Sequence, residues 1–166
     1  MKLPSRIVCL TEESVEVLFL IGEGYRIVGV SNYVVRPKEA LSLPKVSMFT
    51  SSSYEKIEAL NPDLILGFSD IQSDIARDLI KRGHNVFISN HRSLEETLNY
   101  IFLLSSMVGA SDKGQELVGS LRKKLADSKN IINRPIKVYF EEWDDPMISA
   151  IKWVSDLITH VGGIDI

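Results

Sequence analysis

Carboxylates are the first residues of this sequence that could do chemistry. They fall in adjacent pairs at Glu12-Glu13, Glu95-Glu96, Glu141-Glu142 and Asp144-Asp145. Neighbouring residues point in different directions, so no pair is by itself an acid/base dyad. Glu95-Glu96 falls at a predicted helix start, where the dipole favours negative charge. Glu141-Glu142-Trp143-Asp144-Asp145 mixes carboxylates with an indole after a predicted strand. It reads equally as a solvated loop or as a binding loop. Carboxylate-rich sites prefer hard cations, so a cytoplasmic enzyme or metal-handling protein using Glu12, Glu13 and Glu141 is one reading.

Other reactive groups are sparse. His84, His91 and His160 have no histidine three or four residues away, so none forms a helical metal pair. Each reads more plainly as a solvated or capping side chain, with His160 suited to a helix C-terminus. The lone Cys9 lies in an apolar run and reads as a buried small residue. No G-x-G-x-x-G follows the first predicted strand, and neither a P-loop nor a G-x-S-x-G elbow occurs. No catalytic residue, metal ligand or cofactor is assigned, and the chain reads as a non-enzyme. A net charge of −3 leaves no basic footprint for nucleic acid.

Aromatic residues remain. Tyr33, Phe49, Phe68 and Trp143 lie in or beside predicted loops at strand ends. Taken singly, each reads as a plug for the end of the core. Converging on one face, they would form an apolar platform for a large planar ligand.

These residues need elements to position them. Short apolar, β-branched runs predict strands over 7–10, 27–30, 64–66, 85–88 and 137–140. Helical spacing and polar starts predict helices over 13–21, 54–60, 71–82, 93–107, 111–129 and 151–161. Serines 51–53 and Ser111-Asp112 are the expected caps of the second and fifth helices. Residues 31–47 and 141–146 read as loops, and Pro135 opens the fifth strand. Alternating strands and helices predict an α/β fold, a parallel sheet with helices on both faces. Ligands then bind beyond the carboxyl ends of the strands, near 11–14, 31–36, 68–71 and 90–93. No run reaches the roughly 20 apolar residues of a membrane-spanning helix. Met1 to Arg6 lacks the apolar stretch of a secretory signal, so the chain as written reads as cytoplasmic.

The same residues carry a family resemblance. The chain resembles the two-lobed ABC-transporter solute-binding proteins for cobalamin and iron-siderophores, and most of all the cobalamin branch. Arg6-Ile7-Val8-Cys9-Leu10, with Glu16 and Leu18, is similar to that family's first strand and helix. Arg26 to Ser31 is similar to its second strand, and Tyr54 to Leu66, through Asn61-Pro62-Asp63, to its most recognisable stretch. Val138 to Trp143 and Pro146, then Trp153 to Ile158 and Gly162-Gly163, resemble the start of its second lobe.

The resemblance implies a first α/β lobe over 1–110, a linker helix over 111–134 and the beginning of a second lobe over 135–166. It implies cobalamin or another corrinoid held in an aromatic-lined cleft between lobes, with an iron-siderophore or haem as the alternative. Tyr33 falls where the cobalamin binders place a tyrosine against the corrin. Phe49 and Phe68 fall where they use tryptophans, and Trp143 where the second lobe contributes. Glu12 and Glu13 replace a Pro-Ser, which with Glu142 makes the cleft acidic and suits a neutral or cationic ligand. Glu55 matches a glutamate that docks the binding protein onto an ABC permease, whereas Thr159 stands where a second is expected. The family is usually periplasmic or at the cell surface. With an incomplete second lobe the chain would cover about half of a ligand, against roughly 70–90% in a well-formed pocket, so weak affinity is expected. The uncovered surface of that lobe would favour a homodimer.

Overall fold

Strands buried on both faces need continuous apolar runs, and Ile7-Val8-Cys9 and Leu64-Ile65-Leu66 supply them. In the computed structural model, which describes residues 3–129, 134 and 136–166, both runs are central strands of one parallel sheet. The sheet comprises β1 (Ile7–Cys9), β2 (Ile27–Ser31), β3 (Lys45–Ser47), β4 (Leu64–Phe68) and β5 (Val86–Ser89). Their order is β3-β2-β1-β4-β5, with every neighbouring pair parallel.

Five helices cover the two faces: α1 (Glu12–Leu20), α2 (Tyr54–Ala59), α3 (Ser73–Lys81), α4 (Leu94–Met107) and α5 (Ser111–Asp127). The period-2 alternation of β1 divides the core between them. Ile7 and Cys9 face Val15, Leu18, Ile101 and Leu104 from α1 and α4. Val8 and Leu10 face Ile57, Ile75 and Leu79 from α2 and α3. Truncating a fully buried side chain such as Leu10 or Leu18 to alanine costs roughly 2–5 kcal/mol.

The Asn61-Pro62-Asp63 turn sets the register between β1 and β4. Asn61 takes a φ of 45° and ends α2. The Asp63 carboxylate then accepts the backbone N–H groups of Ser5 and Arg6 at 2.9–3.0 Å. The Arg6 guanidinium donates to the Leu60 and Asn61 carbonyls at the C-terminus of α2. One short motif thus closes a helix and anchors the start of the central strand. At the start of α4, Ser93 and Glu96 form a reciprocal capping box.

Four expectations need correction. Residues 31–47 are not mainly loop, since they hold a short 3₁₀ turn over Lys38–Ser42 and the edge strand β3. In β3 only Val46 is apolar, and its pairing with β2 is tertiary, so no local pattern marks it. Residues 141–146 are not a loop either. They include β7 (Glu141–Asp144), which pairs antiparallel with β8 (Met147–Ser149) about a turn at Asp145-Pro146. Third, the expected strand over 137–140 shrinks to β6 (Lys137–Val138), and Pro135 lies outside the described residues. Last, Ser111 is the first residue of α5 rather than its cap, which is Ala110 with no side-chain bond. Ser53 caps α2 by position, with its hydroxyl donating to the Glu55 carboxylate at 3.5 Å rather than accepting a backbone N–H of the helix.

After β8 come α6 (Lys152–His160) and β9 (Ile164–Asp165), the latter paired parallel with β6. Among the described residues no helix is long and apolar enough to cross a membrane.

Candidate functional site

In the order β3-β2-β1-β4-β5 the chain winds outward in opposite directions from β1 and β4. A crevice opens beyond their carboxyl ends. Strand β1 ends at Cys9, and its last bond to the neighbouring strand is the Leu10 N–H to the Leu66 carbonyl at 2.8 Å. Strand β4 runs two residues further, to Phe68. The step between these two strand ends forms the floor of the crevice.

Four rings meet there. The centroids of Phe68 and His91 lie 4.9 Å apart, and His91 stacks on Tyr100 at 4.6 Å with 16° between planes. Trp153, from α6, lies 5.7 Å from both Phe68 and His91. The Arg92 guanidinium stands 5.8 Å over the Phe68 ring, within cation–π range. His91 Nδ1 shares a 2.8 Å bond with the Ser89 hydroxyl, and the Tyr100 hydroxyl shares one of 2.8 Å with Ser14. Burial pushes His91 below the usual imidazole pKa and Tyr100 well above the usual phenol range, so both rings are neutral at pH 7.

The predicted aromatic residues are distributed around this cluster. Tyr33 follows β2 and is 50% exposed. Phe49 follows β3 and is half-buried. Phe68 ends β4 and is only 7% exposed, because His91 and Trp153 pack against it. Trp143 lies on β7, 60% exposed, with its indole N–H donated to the Asp145 carbonyl at 3.0 Å. Among the described residues Tyr33, Phe49 and Trp143 take no part in the ring contacts of the cluster.

The acidic candidates divide in the same way. Glu12 and Glu13 open α1 at the carboxyl end of β1, both half-buried. Burial, reinforced by neighbouring Glu12, holds the Glu13 carboxyl above the usual carboxylate range. This prevails over the Thr11 hydroxyl, which donates to Glu13 at 2.5 Å. Glu142 is exposed on β7, and Glu55 is exposed in the first turn of α2. Among the described residues no three His, Cys, Asp or Glu side chains converge to hold a metal ion. The Cys9 thiol is fully buried, and burial raises its pKa far above the range in which a nucleophilic thiolate forms.

His91, Tyr100 and Trp153 were not among the sequence candidates. His91 does fall in the segment 90–93 beyond a predicted strand, the one local signal available. Tyr100 reads as an ordinary apolar-face residue of α4, and only the packing of α6 brings Trp153 to the crevice.

The chain is an α/β lobe, a doubly wound parallel sheet with a ring-lined crevice at its carboxyl edge, and in sheets of this class ligands bind beyond the strand ends. The chain belongs to the periplasmic binding protein family, which residues 7–166 match. It is 29% identical over 168 residues to the vitamin B12-binding protein of Vibrio cholerae. That alignment covers 97% of this chain and 60% of the relative, so the chain spans about three-fifths of the relative's length. Among solved structures, the periplasmic vitamin B12 binding protein BtuF of Vibrio cholerae superposes with a TM-score of 0.84 at 27% identity, over 98% of this chain and 66% of that one. The periplasmic heme-binding protein RhuT from Roseiflexus sp. RS-1, in apo form, superposes with a TM-score of 0.85 at 25% identity, over 96% of this chain and 65% of that one.

Proposed function

We propose that this chain is part of the solute-binding component of an ABC-type uptake system and takes a corrinoid such as cobalamin at the carboxyl edge of its sheet. The observation that carries the reading is the set of rings at the crevice. Phe68, His91 and Trp153 line its floor, and the exposed Tyr33 and half-buried Phe49 stand on the loops beside it. Rings so placed suit a large, flat, largely apolar ligand. His91 is neutral at pH 7, so the ring stack carries no charge of its own, which lowers the cost of covering it.

In this reading Tyr33 and Phe49 face the ligand, Phe68 supports it from beneath, and Trp143 approaches from the second lobe. Glu12, Glu13 and Glu142 form an acidic rim that favours a neutral or cationic ligand over an anionic chelate. Glu55 is exposed and free to steer encounter with a basic permease surface. Haem is the second reading, supported by the likeness to RhuT.

Titration with hydroxocobalamin and separately with haemin, followed by ligand absorbance and tryptophan fluorescence, tests the proposal. Saturable one-to-one binding of hydroxocobalamin, weakened in Tyr33→Ala and Phe49→Ala, supports it. Preference for haemin favours the second reading. Failure of both ligands to bind overturns the assignment of a ring ligand to this chain.

A further inference from the structure

A buried glutamine spans the crevice. Gln72 is 0% exposed and lies in the 3₁₀ turn between β4 and α3. Its Oε1 accepts the Phe68 backbone N–H at 2.9 Å, and its Nε2 donates to the Phe49 carbonyl at 2.9 Å. The sheet order explains why these bonds are needed. Along β4 the N–H groups of Ile65 and Ser69 point to the β5 side, where they donate to Asn85 and Ser89. By alternation the Phe68 N–H points to the β1 side, where β1 has already ended. Oε1 of Gln72 supplies the acceptor that the missing strand would have provided. Phe49 lies beyond β3, which is separated from β4 by two strands, so the loop carrying it reaches across the crevice to Nε2.

The surrounding backbone is shaped to admit this side chain. A Cβ at Gly67 would lie 2.7 Å from Gln72 Oε1 and 2.6 Å from Ile88 Cδ1, closer than real Cβ contacts occur. Ser69 holds a φ of 64°, an uncommon backbone for a residue with a side chain, and its hydroxyl accepts the Ile71 N–H at 3.2 Å. This turn directs the chain back so that Gln72 reaches Phe68 four residues behind it.

We infer that Gln72 is a positioning residue that fixes the loop carrying Phe49 and the strand end carrying Phe68 in one spatial relationship across the crevice. Its side chain is fully buried, so it acts through the two backbone segments it joins. Its consequence for binding rests on the ring-ligand reading above, because the two rings it ties together are two of those assigned to the ligand.

Gln72→Met and Gln72→Glu, compared with the unaltered 166-residue chain, test the inference. Methionine fills the same space and removes both bonds. Glutamate keeps the acceptor for the Phe68 N–H and, at alkaline pH where its carboxyl is ionised, loses the donor to Phe49, so it remains informative if the methionine variant does not fold. Amide hydrogen exchange reads the positioning without any ligand. The expected result for Gln72→Met is faster exchange over 48–53 and 68–72, with β1, α1 and α4 unchanged. For Gln72→Glu the change is confined to 48–53. Titration with hydroxocobalamin reads the consequence, with an expected loss of about tenfold in affinity for either variant, the equivalent of one hydrogen bond. Exchange over 48–53 that matches the unaltered chain in both variants overturns the inference. So does acceleration spread evenly through the sheet, the mark of a merely structural role. If the unaltered chain binds no ring ligand, the ring-ligand reading fails, and the exchange comparison still decides the role of Gln72.

Discussion

The imidazole of His91 lies flat against the phenol of Tyr100, with centroids 4.6 Å apart and planes 16° apart. Tyr100 is in turn tied to α1 through the 2.8 Å bond between its hydroxyl and Ser14. The stack therefore links the loop after β5, helix α4 and helix α1 at the crevice floor.

Tyr100→Phe keeps the ring and removes only the hydroxyl. The buried Ser14 hydroxyl then loses its partner, and the expected destabilisation is about 1–3 kcal/mol. Urea unfolding measures it as a lower midpoint with an unchanged slope.

Protonation of His91 inserts a charge into this stack. Burial depresses its folded-state pKa below the ordinary 6.5, so between the two values the unfolded chain binds more protons. The stability that His91 contributes is fully present above pH 6.5 and is lost as pH falls toward the folded-state value. Glu13 acts in the opposite sense. Its folded pKa is raised from 4.5, so its contribution is full below that value and is lost as pH rises through the folded-state pKa. Thermal midpoints between about pH 5 and pH 7.5 check both signs. His91→Phe should flatten the loss on acidification, and Glu13→Gln should flatten the loss on the alkaline side.

Helices α4 and α5 pack closely because Gly114 faces Ser105. A Cβ at Gly114 would fall inside the Ser105 side chain. Gly114→Ala improves helix propensity by about 1 kcal/mol, yet overpacking costs typically 1–3 kcal/mol, so net destabilisation is expected. Adding Ser105→Gly should restore part of the loss, and a double-mutant cycle of unfolding free energies reads the coupling.

One carboxylate ties helix α6 to the start of α4. Asp156 accepts the Leu94 N–H at 3.1 Å, at the N-terminus of α4, and holds Lys152 at 2.6 Å. The Lys152 bond and the Leu94 N–H both keep its carboxyl below the usual range. Asp156→Ala should cost about 1 kcal/mol and loosen Trp153 from Phe68 and His91. A red shift and weaker quenching of tryptophan emission, with secondary structure unchanged, checks the prediction. Trp153→Phe should abolish the change.

The sheet and its helices were largely legible because burial writes itself into local pattern. Ile7-Val8-Cys9-Leu10 and Leu64-Ile65-Leu66 are apolar without interruption because both of their faces are covered. The elements that escaped notice lack that signature. Strand β3 has one buried apolar residue between a lysine and a serine, and β7 is exposed along its whole length. Among the candidate residues, Tyr33, Phe68, Glu12 and Glu13 fall after predicted strands, a rule that depends on chain order alone, whereas Phe49 follows β3, which no local pattern marks.

The sequence by itself determined the order of strands and helices, the strand-end segments and the family resemblance, since each is a property of neighbours along the chain. Tertiary structure alone decided which rings meet. Phe68, His91, Tyr100 and Trp153 span 86 positions, yet their ring centroids lie within 6 Å along each contact. Only the docking of α6 on α4 and the early end of β1 bring them together. Glu95-Glu96 open α4 and Glu141-Glu142 lie on the exposed β7, whereas the buried floor is built from rings and one glutamine. A charge stays near water unless a partner compensates its desolvation, whereas a ring or a satisfied amide can be buried wherever the fold closes over it.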